Sequence, residues 1–274
     1  MIYPMMQSER EGTSARSLIA GVGMKQVVSP HGRYMQITSE NPLRTLNSSP
    51  WGGGFGHHRV LMNRQVDKTY NETDPLVEME VFIAREGLEP QDTAGMLTAA
   101  WVSDVGFSEL AWPLEEEPSD QREEAVSEVN ELNEDESLRV AAWVTVGLGN
   151  KARAGAILPT TSLYPGTINT IVVIEGHLTD AAMVNAVITA TEAKAAALQS
   201  LHITVDGQIA TGTTTDAVLI AATGRGTTYR YAGTATTLGY LIGRTVHEAI
   251  LASGQLYELE MSKRAAAHSQ GEGA

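Results

Sequence analysis

Cysteine is absent from the 274 residues of this sequence. Its absence excludes disulfide bonds, thiolate metal sites and cysteine nucleophiles. Long hydrophobic runs are also missing, since no apolar stretch approaches the ~20 residues of a membrane-spanning helix. The opening residues, MIYPMMQSEREG, lack the charged and then apolar order of a secretory signal. We therefore expect a soluble cytoplasmic protein that does not act at a membrane.

Basic residues are few, with 19 Lys and Arg against 33 Asp and Glu and a net charge of -14. Much of the acidity lies in one segment at about 115–136, EEEPSDQREEAVSEVNELNEDE. A dense run of like charges is typical of a solvated insert. No basic patch that would neutralise phosphates is visible, so we expect no nucleic-acid partner.

Familiar cofactor and catalytic motifs are incomplete or absent. The stretch GLGNKARAG (147–155) has Ala152 where the third glycine of a dinucleotide-binding loop would stand. His247 and Glu248 begin a zinc-protease pattern, but Leu251 replaces its second histidine. Neither a phosphate-binding P-loop nor a G-x-S-x-G elbow occurs. We expect no resident metal and no cofactor.

Alternating and helical hydrophobic patterns are intermixed along the chain. They predict an α/β fold, with α+β as the alternative, built on one mixed β-sheet flanked by helices and long loops rich in Gly and Thr. The predicted strands are 34–38, 60–70, 93–102, 138–148, 167–175 and 217–222, and the predicted helices are 75–86, 180–200 and about 235–252. We expect a weakly ordered segment at 1–32, a single domain at 33–253, and a tail at 254–274 that is disordered at its end.

Helix punctuation and apolar stripes refine these predictions. Asp74 and Thr179 are placed to cap the first two helices, and Gly87 to end the first. The predicted buried stripes are Leu76, Met79, Phe82 and Ile83 in the first helix, Val184, Ile188, Thr191, Ala195 and Leu198 in the second, and Leu238, Leu241, Ile242, Thr245 and Ala249 in the third. The stretch 47–58, NSSPWGGGFGHH, predicts a loop.

Several stretches together resemble the adenosylcobinamide amidohydrolase family. They are SSPWGGGFG (48–56), MNRQVDKTY (62–70), TAGMLTAA (93–100), VGLGNKARAG (146–155), PGTINTIVVIEGHLTDAAMVNAVITATEAKAAAL (165–198), ATGTTTDAVLIAA (210–222) and YAGTATTLGYLIGRTVHEAI (231–250). The resemblance implies hydrolysis of the amide that joins aminopropanol to the corrin ring, giving adenosylcobyric acid for cobalamin salvage. It also implies that any cobalt belongs to the corrinoid substrate.

The stretch TGTTTDAV places hydroxyl groups and a carboxylate directly before an apolar strand. Asp216 is a candidate general base, and Thr213, Thr214 or Thr215 can donate to an oxyanion or attack a carbonyl carbon. The alternative is structural, because threonines commonly satisfy the backbone of tight turns. The resemblance favours the catalytic interpretation for Asp216.

The strand at 60–70 carries a second polar group. Asn63, Gln65 and Asp67 alternate along it, with Arg64 beside them, and the alternative is a solvent-facing strand. Amide side chains both donate and accept hydrogen bonds. We therefore expect Asn63, Arg64 and Gln65 to bind the amide-rich corrin rim, with Asp67 as an alternative base.

Other candidates come from separate segments. Asn185, Thr189 and Glu192 form a polar stripe on the second helix, whose alternative role is an exposed helix face. The catalytic candidates are thus Asp216, Asp67, Glu192 and Thr214, and the substrate-binding candidates are Trp51, Gly52, Gly53, Gly54, Asn63, Arg64, Gln65, Asn169, Asn185, Thr213 and Thr215. Trp51 and its glycines would lie flat against the macrocycle or the adenosyl group, and the alternative is a flexible loop.

Two other functions stay open at this point. The chain can be a corrinoid-binding or trafficking protein without catalysis, or a hydrolase that cleaves itself before a nucleophilic threonine. A homo-oligomer is also an open alternative.

Overall fold

The structure, a computed structural model, describes residues 14–113, 138–157 and 166–271. The predicted acidic insert at 115–136 lies outside them. The strands are β1 (Ser14–Arg16), β2 (Val22–Ser29), β3 (Gly32–Asn47), β4 (Gly54–Gln65), β5 (Thr93–Thr98), β6 (Gly106–Trp112), β7 (Leu138–Val146), β8 (Lys151–Ala152), β9 (Ile168–Ile174), β10 (His177–Leu178), β11 (Thr204–Val205), β12 (Gln208–Ile209), β13 (Gly212–Thr213), β14 (Ala217–Ala222) and β15 (Thr228–Tyr229). The helices are α1 (Pro75–Arg85), α2 (Asp180–Ser200) and α3 (Thr237–Gly271).

Within the described ranges, nine strands form one mixed sheet. Its order is β1-β2-β3-β14-β9-β7-β6, with β4 beside β3 and β5 beside β4. The pairs β14–β9 and β4–β5 are parallel, and the other pairs in this sheet are antiparallel. The predicted α/β fold with a mixed sheet flanked by helices is confirmed.

The long strand β3 belongs to two parts of this sheet. Its residues 32–39 pair with β2, whereas residues 44–47 pair with β14. The pairing of β3 with β4 shifts register between Thr38 and Leu43. Pro42 lies in this interval, where a proline is tolerated because it has no N–H to contribute to the ladder. The sheet therefore folds back on itself at this point.

The folded sheet makes two β-layers with helices outside both. Helices α2 and α3 cover one face of β7, β9 and β14, where Val140, Val172 and Ile220 are buried. The opposite face packs against the layer of β2, β4 and β5, through residues such as Trp143 and Leu61. Helix α1 covers the outer side of that layer, packing its buried residues against Tyr34 and Met62.

The ends of the domain differ from the sequence prediction. Residues 1–32 were predicted to be weakly ordered, but β2 pairs along its whole length with β3 and buries Val22 and Met24. That prediction is wrong for residues 22–29. Likewise, the tail predicted from 254 is helical to residue 271, because α3 continues beyond the predicted end at 252. Residues 1–13 and 272–274 lie outside the described ranges.

The helix caps follow the prediction, whereas two of the predicted apolar stripes are corrected in part. The Asp74 carboxylate accepts hydrogen bonds from Leu76 N and Val77 N, at 3.1 and 3.2 Å, and the Thr179 hydroxyl accepts from Ala182 N at 3.2 Å. Leu76, predicted to be buried, is 46% exposed. In α2, Val184 and Ile188 are also about half exposed.

The buried face of α2 consists mainly of small residues. They are Ala182, Met183, Ala186, Thr189, Ala190, Ala193, Lys194, Ala197 and Leu198. Small side chains let a helix approach a sheet and another helix closely, so α2 packs through its alanines rather than through its larger β-branched residues. Thr189, predicted to lie on a polar stripe, is buried and donates to the Ala232 carbonyl oxygen at 2.8 Å.

Two predicted boundaries near the first glycine-rich stretch are also corrected. Residues 54–58 were predicted as loop but form the start of β4, which leaves only 48–53 as the connection. At the other end, β4 stops at Gln65, so Asp67 lies beyond the strand whose polar face it was expected to share.

Candidate active site

Asp216 lies immediately before β14 and is the centre of a dense polar cluster. Its Oδ1 accepts a hydrogen bond from Ile168 N at 3.0 Å and one from the Thr213 hydroxyl. Its Oδ2 accepts from Thr213 N at 3.0 Å and forms an ion pair with Lys194 Nζ. The side chains of Asp216 and Lys194 are each only 10% exposed. A charged pair at this end of the sheet is therefore almost completely removed from water.

Local sequence explains how this cluster forms. Strand β13 (Gly212–Thr213) pairs with β8, and the chain then turns within three residues into the buried strand β14. A carboxylate that accepts from the backbone N–H three residues earlier closes such a turn. Gly212 is required, because a Cβ at this position would lie 2.2 Å from Asp216 Oδ2. The turn and the ion pair thus depend on one another.

The neighbouring threonines have separate partners. Thr214 accepts a hydrogen bond at 2.5 Å from Asn150 Nδ2, and Thr214 N donates to the Asn150 carbonyl oxygen at 3.2 Å. The Thr215 hydroxyl donates to the Gly166 carbonyl oxygen at 2.8 Å. Asn150 is buried, and its Oδ1 has no hydrogen-bond partner among the described residues. Of the three threonines, Thr213 is the one whose hydroxyl contacts the Asp216 carboxylate.

A second polar cluster lies beside the first, between the two β-layers. Asn63 Nδ2 donates to the Thr145 hydroxyl, and Asn169 Nδ2 donates to Asn63 Oδ1, both at 2.8 Å. The Thr167 hydroxyl joins the clusters, since it contacts Asn169 Oδ1 at 3.3 Å and the Thr215 carbonyl oxygen at 2.8 Å. We call this end of the sheet the polar edge; it comprises Asn63, Thr145, Asn150, Thr167, Asn169, Lys194 and residues 213–216.

The loop 48–53 is held next to this edge. Ser48 exchanges hydrogen bonds with Val218 at the start of β14, and the Trp51 carbonyl oxygen accepts from Asn47 Nδ2 at 2.8 Å and Gly95 N at 3.1 Å. Gly52, Gly53 and Gly54 follow, and Gly52 and Gly54 have the left-handed φ values of 64° and 76°. A built Cβ on Gly52 would contact Ala94 and His58. Backbone hydrogen bonds and glycine conformations therefore hold the loop in place. His58 lies beneath the loop, and its burial lowers the pKa of its imidazole.

Several predicted site residues lie elsewhere. Asp67 is exposed and accepts hydrogen bonds from Thr69 N and Oγ1, at 2.8 and 2.7 Å, which hold the pKa of its carboxyl below the ordinary value. Gln65 Oε1 accepts from Val102 N at 3.1 Å. Arg64 points to the α1 side, where it pairs with Glu78.

The Arg64 guanidinium also lies 3.8 Å from the centre of the Phe82 ring. Its hydrogen bonds hold the pKa of Glu78 below the ordinary value. The remaining predicted residues, Asn185 and Glu192, are on α2, half-buried and exposed respectively. Glu192 lines a groove of about 450 Å³ between α2 and α3, together with Tyr240 and Arg244. The structure therefore separates Arg64, Asp67, Asn185 and Glu192 from the polar edge.

Sequence reasoning missed four members of the polar edge. Lys194 is the only cationic residue of α2, and it falls on the buried alanine face of that helix. A single lysine on an alanine-rich helix face is therefore the sequence signal for this residue. It can be recognised only once the buried face of α2 is assigned correctly. Asn150, Thr145 and Thr167 carry no comparable signal, because their roles depend on which strand ends meet. Within the part of the chain that the structure describes, no group of three or more His, Asp and Glu residues could hold a metal ion.

Comparison with known proteins identifies the family to which this chain belongs. The profile described as adenosylcobinamide amidohydrolase matches residues 22–111 and 125–261 of this chain. These ranges contain every segment that contributes to the polar edge. The chain belongs to the adenosylcobinamide amidohydrolase family. The expected family resemblance is thus confirmed.

Individual relatives agree with the family profile. A Halobacterium salinarum protein named adenosylcobinamide amidohydrolase is 39% identical over 124 residues, which are 42% of this chain and 49% of that one. A Methanosarcina mazei protein of the same name is 29% identical over 174 residues, 64% of this chain and 67% of that one. An uncharacterized Methanocaldococcus jannaschii protein is 38% identical over 100 residues, 35% and 38% of the two chains.

The similarity spans about half the length of the Halobacterium relative. Among solved structures, a Pyrococcus horikoshii protein aligns with a TM-score of 0.44 at 10% identity, over 85% of this chain and 83% of that chain. No helix within the described residues is long and apolar enough to cross a membrane.

Proposed function

We propose that this protein hydrolyses the amide bond joining aminopropanol to the corrin ring of adenosylcobinamide. The products would be adenosylcobyric acid and 1-amino-2-propanol, and the acid would return to cobalamin synthesis. The observation that carries this proposal is the family match across all segments of the polar edge. The corrinoid is the substrate, and its cobalt comes with it.

The polar edge has the groups that amide hydrolysis needs. An amide resists attack by water, so a catalyst supplies a proton acceptor for the nucleophile and donors for the oxygen that becomes negative. Asp216 is the carboxylate of this site, and its Oδ1 already accepts a hydrogen bond from the Thr213 hydroxyl. Asn63 and Asn169 are each 1% exposed and hydrogen-bond to one another, so they position the polar edge rather than contact the corrin rim. We therefore assign the proton acceptor to Asp216.

Three carboxylates were predicted as catalytic, and the structure gives a reason to rank them. Asp216 is in the polar edge, whereas Asp67 and Glu192 are exposed at other places. Removing a general base typically lowers the rate by about 10²–10⁴-fold. We expect that decrease in kcat for Asp216→Asn, and kcat within about twofold of wild type for the matched controls Asp67→Asn and Glu192→Gln.

The assay incubates each protein with adenosylcobinamide and measures released aminopropanol by mass spectrometry. Equilibrium dialysis of the same corrinoid measures binding, and circular dichroism verifies folding. A wild-type protein that binds the corrinoid without releasing aminopropanol would be a corrinoid-binding protein instead. Cleavage of the 29.3 kDa chain before one of its threonines, seen on a denaturing gel, would indicate the self-processing alternative.

A further inference from the structure

Lys194 is an unusual residue for the inner face of a helix. It is 8% exposed, and its neighbours on that face are alanines, among them Ala190, Ala193 and Ala197. Lysine is almost never fully buried unless it has a partner, because removing an ammonium group from water is costly. Its partner is the Asp216 carboxylate, which belongs to the polar edge.

The ammonium group has more hydrogen-bonding capacity than the fold uses. Lysine carries three N–H donors. Among the described residues, Asp216 is the one acceptor within hydrogen-bond distance of Lys194 Nζ. Asp216, in contrast, is fully occupied, since its two oxygens accept four hydrogen bonds. Lys194 therefore has N–H donors that are not used within the described residues, whereas Asp216 has no acceptor capacity left.

Stability alone does not account for this pair. Replacement of a buried ion pair by well-packed apolar side chains is often neutral or stabilising. The alanines of α2 already pack against the sheet without any charge, in the same core as Val172 and Ile220. The Gly212 backbone packs closely on the pair, since a Cβ there would lie 2.8 Å from Lys194 Nζ. The sequence thus keeps a desolvated cation, and a glycine that makes room for it, in a core that otherwise needs no charge.

We propose that Lys194 is a catalytic residue whose ammonium binds the carbonyl oxygen of the scissile amide and stabilises the negative charge formed there. This inference rests on the proposed function. In the addition step, a water oxygen forms a bond to the carbonyl carbon, its proton passes to the Thr213 hydroxyl, and the Thr213 hydroxyl proton passes to Asp216. The carbonyl π electrons move to the oxygen that Lys194 holds. On collapse, the carbon–nitrogen bond breaks and the amine takes the proton from Asp216.

The test removes the charge and retains the length of the side chain. We expect Lys194→Met to lower kcat by about 100-fold or more, as loss of one oxyanion donor does, with KM changed less than threefold. Lys194→Arg keeps a cation at a different position and is expected to recover part of that loss. The matched control is Lys68→Met, which removes an exposed cation that lies against Trp101 and should leave both constants unchanged.

Each outcome of this experiment has one interpretation. A folded Lys194→Met protein with wild-type kcat would overturn the inference, as would a rise in KM with kcat intact. Failure of both Lys194→Met and Lys194→Gln to fold, judged by circular dichroism, would assign the lysine to the fold and count equally against it. Absence of aminopropanol release by the wild-type protein would instead reject the proposed function itself.

Discussion

Gly212→Ala is the substitution whose effect the structure determines most directly. An added Cβ would lie 2.2 Å from Asp216 Oδ2, whereas an ordinary contact begins at 3.4 Å, so the carboxylate must move by about 1 Å. Its hydrogen bonds from Ile168 N and Thr213 N, now 3.0 Å, would then exceed hydrogen-bonding distance. Hydrogen bonds to charged groups contribute about 1.5–3 kcal/mol each. We expect the free energy of unfolding to fall by about 3–5 kcal/mol.

Urea unfolding and thermal melting followed by circular dichroism measure this change. For a domain of this size, the expected loss corresponds to a decrease of roughly 10 °C in Tm. The matched control is Gly23→Ala in β2, where a Cβ would meet no described atom within 4 Å and the backbone is not left-handed. Gly212→Ala as stable as the control would show that the Asp216 carboxylate can move freely, and would refute the close coupling between the turn and the ion pair.

Three further substitutions test other parts of the fold. Thr179→Ala removes the α2 cap and should lower the free energy of unfolding, measured in urea, by about 1 kcal/mol. Thr191→Ala on the exposed face of α2 should lower it much less. Equal losses in the two variants would contradict the capping role. Burial lowers the pKa of His58 from 6.5. As the pH drops below 6.5, the unfolded chain therefore binds a proton at His58 before the folded chain does. The free energy of unfolding falls as a result, by up to about 1.4 kcal/mol per pH unit. His58→Gln should flatten that dependence between pH 7 and 5, and the exposed control His57→Gln should not. Gly106→Ala places a Cβ 1.9 Å from an α3 carbonyl oxygen; it should yield little folded protein, and wild-type Tm would contradict the packing of α3 on β6.

Local sequence signals predicted the elements well and their packing less well. Asp74, Thr179 and Gly87 mark helix ends because capping is decided within a few residues. The buried face of α2 was mispredicted because hydrophobicity favours Val184 and Ile188, whereas close packing against the sheet and α3 selects alanine. Such a choice depends on the distance between layers, which no single segment encodes.

The candidate site shows the same division. Asp216 and its threonines could be selected from sequence, because a carboxylate and hydroxyls before a buried strand are visible in one stretch. Asn150 could not, and Lys194 required knowledge of the buried face of α2, since both approach that stretch from other segments of the chain. Asp67 was selected because the alternating pattern continues past Gln65, where β4 ends. The misplaced strand end grouped Asp67 with Asn63, whereas its carboxylate accepts from Thr69.

The β6–β7 pairing holds together the two strand ends nearest to the acidic segment at 115–136. Trp112 pairs directly with Leu138, whereas the polar edge lies at the other end of β7, around Thr145. The two anchor points are therefore held together by the ladder whatever joins them, and loop length alters closure entropy only slowly. A connector of any length between Trp112 and Leu138 therefore leaves the β6–β7 ladder in register.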